Sequence, residues 1–219
     1  MTKIHVVRHA NAQLYSAELD DYFRARHTVY VKERGWKDLD RAGGRDIDQF
    51  DTADAIHLLA IDQSRVVGGH RFNPTTGPTL LNSVFPQLAA RPLVADPEVY
   101  ETTRIFVVKE RRGEQAQPRI ESLLFAATLE FAVSQGLREI RFLMETWWLP
   151  RLQDIGWSVR PLGIPTDVDG MNCIAVSLAI SDEVWAETCL RRSVPGPVLV
   201  WKGIHRPMYR FPDHIQLVA

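Results

Sequence analysis

Arg26 constrains the fold of this chain more than any other residue. Ser16–Arg34 carries an apolar stripe at helical spacing, Leu19, Tyr22, Phe23 and Tyr30, and Arg26 lies on the same stripe. A guanidinium on the buried face of a helix must be paired, because an uncompensated buried charge costs about 3–5 kcal/mol. The fold must therefore bring carboxylates to this helix. The chain offers Asp48, Asp51 and Glu101, together with two further arginines, Arg71 and Arg104, and the aromatic Trp36. In an ordinary core these places would hold aliphatic residues.

The chain has 219 residues, 45% hydrophobic and 24% charged, enough for a substantial core in one domain spanning residues 1–219. A net charge of −1 gives no global field for nucleic acid or for a membrane surface, so any basic docking surface must be local. No window is apolar over the length of a bilayer span, and Met1–Ala12, with His5, Arg8 and His9, lacks a secretory pattern. The expectation is a cytoplasmic protein in which Cys173 and Cys189 are reduced, buried thiols.

Strands and helices interleave. The helix that Ser16 caps is followed by a loop over Gly35–Thr52, then strands at Ile56–Ile61 and Arg65–Phe72 that form a hairpin. A short helix is expected at Ser83–Leu88 and a strand at Tyr100–Val108. A basic loop, Lys109–Gln117, leads to a helix opened by Pro118 and closed by Gly136, then a strand at Glu139–Met144. A short helix over Trp147–Asp154, strands at Trp157–Val159 and Cys173–Ile180, and a helix capped by Ser181 complete the pattern. The tail from about 192 is proline-rich and reads as irregular or extended. This order predicts an α/β (α+β) fold: a mixed, mostly antiparallel sheet, helices on both faces and a central β–α–β unit.

Phosphate-binding glycine motifs, G-x-S-x-G and H-E-x-x-H are absent. The run Asp46-Ile47-Asp48 lacks the glycine and glutamate of a calcium loop, and the seven histidines fall in no metal spacing, so no metal is expected. Asp48 and Asp51, three apart, can face one way within a turn. Glu101 and Arg104 are also three apart, but in a regular strand they would point to opposite faces. Both reach one pocket only if the strand carries a bulge, expected near Thr102–Thr103.

The ordered series Arg26, Tyr30, Trp36, Asp48, Phe50, Asp51, Gly68-Gly69-His70-Arg71, Glu101 and Arg104 resembles the acyl-homoserine lactone synthases, the LuxI-type autoinducer synthases of bacterial quorum sensing. The resemblance runs from about His5 to about Ala179. Met144–Arg151, with Trp147 and Trp148, looks like the branch that takes acyl groups from coenzyme A. Tyr30 departs from the pattern, since the family usually has Phe there; its hydroxyl then needs a partner.

The resemblance implies a fold like the GNAT-type N-acetyltransferases and two substrates, S-adenosylmethionine and an acyl thioester on coenzyme A or acyl carrier protein, with no cofactor. Glu101 is then the expected base for the attacking amine, with a salt bridge to Arg71 or Arg104 as the plainer reading. Arg26, Tyr30, Trp36, Asp48, Asp51, Arg71 and Arg104 would hold S-adenosylmethionine, with Asp48 and Arg104 beside the reaction. At least one arginine is expected to be purely structural. Phe106, Val107, Lys109, Arg111 and Arg112 would meet the thioester arm, unless the basic loop is simply solvated. Leu124, Met144, Trp147, Trp148 and Leu149 would line an acyl slot or belong to the ordinary core. If both tryptophans line the slot, it favours branched or aromatic acyl groups. Two rival readings are an acetyltransferase-fold enzyme that acylates another amine without lactone formation, and a non-catalytic sensor of a nucleotide or acyl ligand.

Overall fold

The computed structural model describes residues 2–113 and 118–209. Its elements in chain order are β1 (Lys3–Val7), α1 (Ser16–His27), β2 (Ile56–Asp62), β3 (Arg65–Pro74), α2 (Leu80–Ser83), β4 (Val99–Val107), α3 (Ile120–Ser134), β5 (Glu139–Glu145), α4 (Leu149–Asp154), β6 (Val159–Pro161), β7 (Thr166–Val168), β8 (Met171–Ala179), α5 (Asp182–Arg191) and β9 (Leu199–Val200). The strands form one sheet in the order β6-β8-β5-β4-β3-β2-β1-β9, with β7 paired to β8. Among the described residues only β4–β5 and β1–β9 are parallel. The expected hairpin is β2–β3, and β4–α3–β5 is the expected parallel unit.

The pleat of β3 shows how the layers divide. Gly68, His70 and Phe72 face α3, against Leu124, Thr128 and Phe131. Gly69 and Arg71 face the other way, against Tyr22 of α1 and Asp51. The main core therefore lies between the sheet and α3 and α5, and a second apolar cluster under α1 joins Tyr22, Val29, Tyr30, Leu59 and Phe106. Among the described residues no helix is long and apolar enough to cross a membrane.

The two glycines of β3 are required by close approach. A Cβ on Gly68 would lie 2.7 Å from the Phe106 carbonyl oxygen, and one on Gly69 2.7 Å from that of Leu58. Gly68→Ala must push β4 away from β3. The expected result is a loss of about 1–3 kcal/mol, read as a lower melting temperature.

Several elements differ from expectation. The short helix comes earlier, as α2 and a 3-10 turn at Pro86–Leu88, because Thr79 and Asn82 cap it reciprocally. The expected strand at Trp157 starts two residues later, since Trp157 closes the turn after α4 through its N–H to the Leu152 carbonyl. β1, β7 and β9 add to the strands that the sequence pattern predicts. Residues 114–117 of the basic loop and 210–219 of the tail lie outside the described residues.

β9 sits within the segment read as irregular and is held by Glu130 of α3. The Val198 N–H donates to Glu130 Oε2 at 2.5 Å, and that of Leu199 to the same oxygen at 3.2 Å. Burial pushes the Glu130 carboxyl up to about 7 despite these donors. Between its ordinary value of 4.5 and about 7 the native state binds the extra proton, so stability falls as pH rises through that window. Glu130→Gln keeps an acceptor at the Oε2 position and removes the titration. It should melt above the parent at pH 8, with a smaller difference at pH 5.

Candidate active site

At the end of α1 the backbone widens into a π-helical stretch, Thr28–Glu33, and the Arg34 N–H reaches back to the Val29 carbonyl. Such widenings recur at functional sites. This one carries Tyr30 over β4. Its ring stacks on Trp36 with centroids 5.1 Å apart, and its hydroxyl donates to the Ile105 carbonyl at 2.8 Å. The hydroxyl that the family's usual Phe would lack therefore has a partner.

The irregularity in β4 lies at Arg104–Ile105, not at Thr102–Thr103. Gly69 pairs with Phe106 and Arg71 with Thr103, so His70 alone stands opposite two residues. Arg104 takes a left-handed φ of 59°, which costs a non-glycine residue about 1–2 kcal/mol. The bulge turns the Arg104 side chain to the α1 face, where Arg71 already lies.

Three arginines and three aspartates meet there. Arg26 forms two hydrogen bonds with Asp51, at 2.8 and 3.2 Å, and donates to Asp46 at 3.1 Å. The rings of Tyr22 and Phe23 lie 5.3 and 5.4 Å from its guanidinium carbon. Arg71 grips both oxygens of Asp48, at 2.6 and 3.2 Å, and touches Asp51 at 2.8 Å. Arg104 joins Asp46 at 2.8 Å to Asp48 at 3.0 Å and lies 5.3 Å from the Tyr30 ring centre. Burial alone would raise the carboxyls of Asp46 and Asp51, but Arg26 and its companion arginines hold both below the usual carboxylate range. The same aspartates keep Arg26 and Arg71 protonated against burial.

Exposure sorts this cluster into two layers. The side chains of Arg26 and Arg71 are 0% and 1% exposed and those of Asp46 and Asp51 2% each, whereas Asp48 is 10% and Arg104 8% exposed. The first four are a buried frame. Asp48, Arg104 and the half-buried Trp36 form its accessible edge.

Asp46 is the member that sequence reasoning missed. It belongs to the acidic run that fails the pattern of a calcium loop, and the sequence offers Glu101 as the third acid instead. Charge balance gives no signal for it, because Asp48, Asp51 and Glu101 already match the three arginines in number. Glu101 pairs with neither Arg71 nor Arg104. Its carboxylate accepts the N–H groups of Leu80 at 2.8 Å and Leu81 at 2.9 Å, at the start of α2, and the Thr79 hydroxyl bonds to it as well. Burial raises its pKa against these donors.

Beside this cluster the sheet opens. The β4–β5 ladder ends at Glu101 opposite Arg141, and the strands part beyond it. Arg34 reaches across the opening to Glu145 at 3.3 Å. The residues expected to meet a thioester arm lie along β4 and just after it. Phe106 is buried against Tyr22 and Tyr30, Val107 packs on the main core, and Lys109 is exposed. Arg111 pairs with Asp62 at 2.9 Å and Arg112 with Glu33 at 2.6 Å. Of the acyl-slot residues, Leu124 is fully buried, and Met144 and Trp148 pack on the main core. Leu149 is half-buried, and Trp147 is exposed, stacked on Trp148 with Arg151 over both rings.

The chain is similar to the isovaleryl-homoserine lactone synthase of Bradyrhizobium diazoefficiens, 42% identical over 178 residues that make up 81% of this chain and 80% of that protein. It is similar in structure to the CoA-dependent acyl-homoserine lactone synthase BjaI bound to SAM and isopentyl-CoA, with a TM-score of 0.88 and 38% identity, covering 94% of this chain and 95% of that one. The CoA-dependent synthase MesI matches with a TM-score of 0.82 and 34% identity, over 90% and 98% of the two chains. Residues 10–187 match the autoinducer synthase family, and the chain belongs to it.

Proposed function

We propose that this protein is an acyl-homoserine-lactone synthase that acylates the amine of S-adenosylmethionine from a coenzyme A thioester. The observation that carries this reading is the accessible edge of the charge cluster, Asp48 and Arg104 beneath Tyr30 and Trp36, set beside the opening between β4 and β5. Asp48 orients the substrate ammonium and Arg104 its carboxylate, while Arg26, Arg71, Asp46 and Asp51 hold those two in place. Tyr30 and Trp36 offer π faces to the sulfonium or the adenine, contacts worth about 0.5–2 kcal/mol.

A free α-amino group has a pKa of about 7.7–8, so a weak base suffices to free it for attack. Glu101 takes that proton, directly or through one water. The thioester carbonyl lies in the opening, where N–H groups of the parted strand after Arg104 stabilise the tetrahedral oxyanion. The carbon–sulfur bond then breaks and the coenzyme A thiol leaves. In the second step the substrate carboxylate attacks its own γ-carbon. The sulfonium leaves as neutral methylthioadenosine and the lactone closes, a step that depends on alignment more than on acid or base help.

Lys109, Arg111 and Arg112 meet the phosphates of the coenzyme A arm or steer the approach of an acidic carrier protein. Met144, Trp147, Trp148 and Leu149, with Leu124 behind them, bound a short acyl slot suited to a branched chain. That choice is supported by the isovaleryl-specific name of the Bradyrhizobium relative and the isopentyl-CoA bound to BjaI. No cofactor takes part, and the reaction belongs to the cytoplasm, where both substrates are made.

The test is incubation with S-adenosylmethionine and isovaleryl-CoA, followed by mass spectrometry for isovaleryl-homoserine lactone and methylthioadenosine. Amide formation without methylthioadenosine would move the chain to the rival reading, an N-acyltransferase that makes no lactone. Faster turnover with lauroyl-CoA than with isovaleryl-CoA would remove the short slot.

A further inference from the structure

We propose that His70 is a positioning residue: it pins the β4 bulge in the one register that aims Arg104 at the substrate ammonium–carboxylate end. This inference rests on the function proposed above. His70 is fully buried, on the opposite face of β3 from the charge cluster. It is also the single residue that faces the two-residue bulge Arg104–Ile105.

The hydrogen bonds of His70 fix its tautomer. The Thr128 hydroxyl donates to the Leu124 carbonyl at 2.8 Å, so towards His70 Nε2, 3.3 Å away, it can only accept. Nε2 therefore carries the proton, Nδ1 is the acceptor, and the Thr102 hydroxyl donates to it at 2.9 Å. Burial holds the imidazole neutral, with its pKa lowered to about 3, so this arrangement does not change across the physiological range. The result is a rigid brace from α3 through β3 to the stretch of β4 just before the bulge.

A brace at that place has one consequence. A bulge can migrate along its strand, and each one-residue step re-pairs the residue it passes and turns that side chain to the other face. If the extra residue moved to Thr102–Thr103, Arg104 would leave the bulge for the ladder place opposite Arg71, setting two guanidiniums side by side and losing its present aim at Asp46 and Asp48. Holding Thr102 to His70 excludes that slip. The adjacent core residue Phe72 shares the strand and the face of His70, with ring centroids 5.0 Å apart, but in the ladder it pairs with Thr102 and does not face the bulge.

The experiment compares His70→Leu with Phe72→Leu, which removes comparable core contacts from the same strand. Side-chain Nε–H signals of arginine report Arg104 directly, because its Nε–H is bonded to Asp46. In His70→Leu the Arg104 Nε–H signal should lose its exchange protection. The KM for S-adenosylmethionine should rise at least tenfold while that for the thioester stays within twofold. Phe72→Leu should lower the melting temperature and leave both readouts unchanged. His70→Gln, which can still accept from Thr102, should recover most of the loss. An unchanged Arg104 signal in His70→Leu, or the same losses in Phe72→Leu, overturns the proposal. The spectroscopic arm needs no turnover, so it judges the brace even if the parent protein makes no lactone, an outcome that would count against the proposed function instead.

Discussion

Replacing Arg26 with Met should destabilise the protein by about 3 kcal/mol and lower its melting temperature by about 6–12 °C. Met fills much of the same volume, so the loss reports charge rather than a cavity. Asp51 would keep Arg71, and Asp46 would keep Arg104, but each would lose its most buried cation. That retained pairing places the expected cost at the lower end of the range for broken buried pairs. The pH dependence gives a second check. Asp46 and Asp51 have folded pKa values below the unfolded value of 3.8, so the stability they contribute is present above about pH 4 and is lost as pH falls through the folded values. In the variant both carboxyls rise. The gap between parent and Arg26→Met should therefore be full at pH 7 and shrink below about pH 4. A gap that stays constant down to pH 3 would mean that Arg26 acts through packing on Tyr22 and Phe23 alone.

The same residue shows what could be read from the chain. Arg26 was legible because a 3.6-residue period sets the burial of a helix face before any tertiary contact is known. Tyr22, Arg26 and Tyr30 are all buried, as that period requires. Its demand for acids was legible too, but not their identity. Asp46, Asp48 and Asp51 sit in a turn whose N–H groups bond back to its own carboxylates, and no period says which side chain turns inward. Arg104 shows a different limit. A non-glycine residue at positive φ has no sequence cue, so the bulge could be argued from need but not located to the residue. β9 was hidden for a third reason, since two residues held by a buried glutamate sixty-nine positions away carry no local pattern.

Glu101→Gln separates two roles that the geometry leaves to one carboxylate. As a base, Glu101 should contribute about 10²–10⁴-fold to turnover, and the amide can accept no proton at that place. As an anchor for α2 it holds two N–H groups and the Thr79 hydroxyl. Gln keeps one oxygen acceptor but turns an NH2 towards the other N–H, at a cost of about 1–3 kcal/mol. The expected result is a modest fall in melting temperature with a fall in kcat of at least a hundredfold. Because burial raises the Glu101 pKa, the acid limb of kcat/KM should lie above the ordinary glutamate range of about 4.3, and it should vanish in the variant. A capping role alone predicts the opposite pattern: lower stability, unchanged kcat at temperatures where the variant is folded, and an unmoved acid limb. In that case the amine would lose its proton to water or to Asp48, the most exposed acid of the cluster, and Asp48→Asn rather than Glu101→Gln would be the substitution that abolishes turnover.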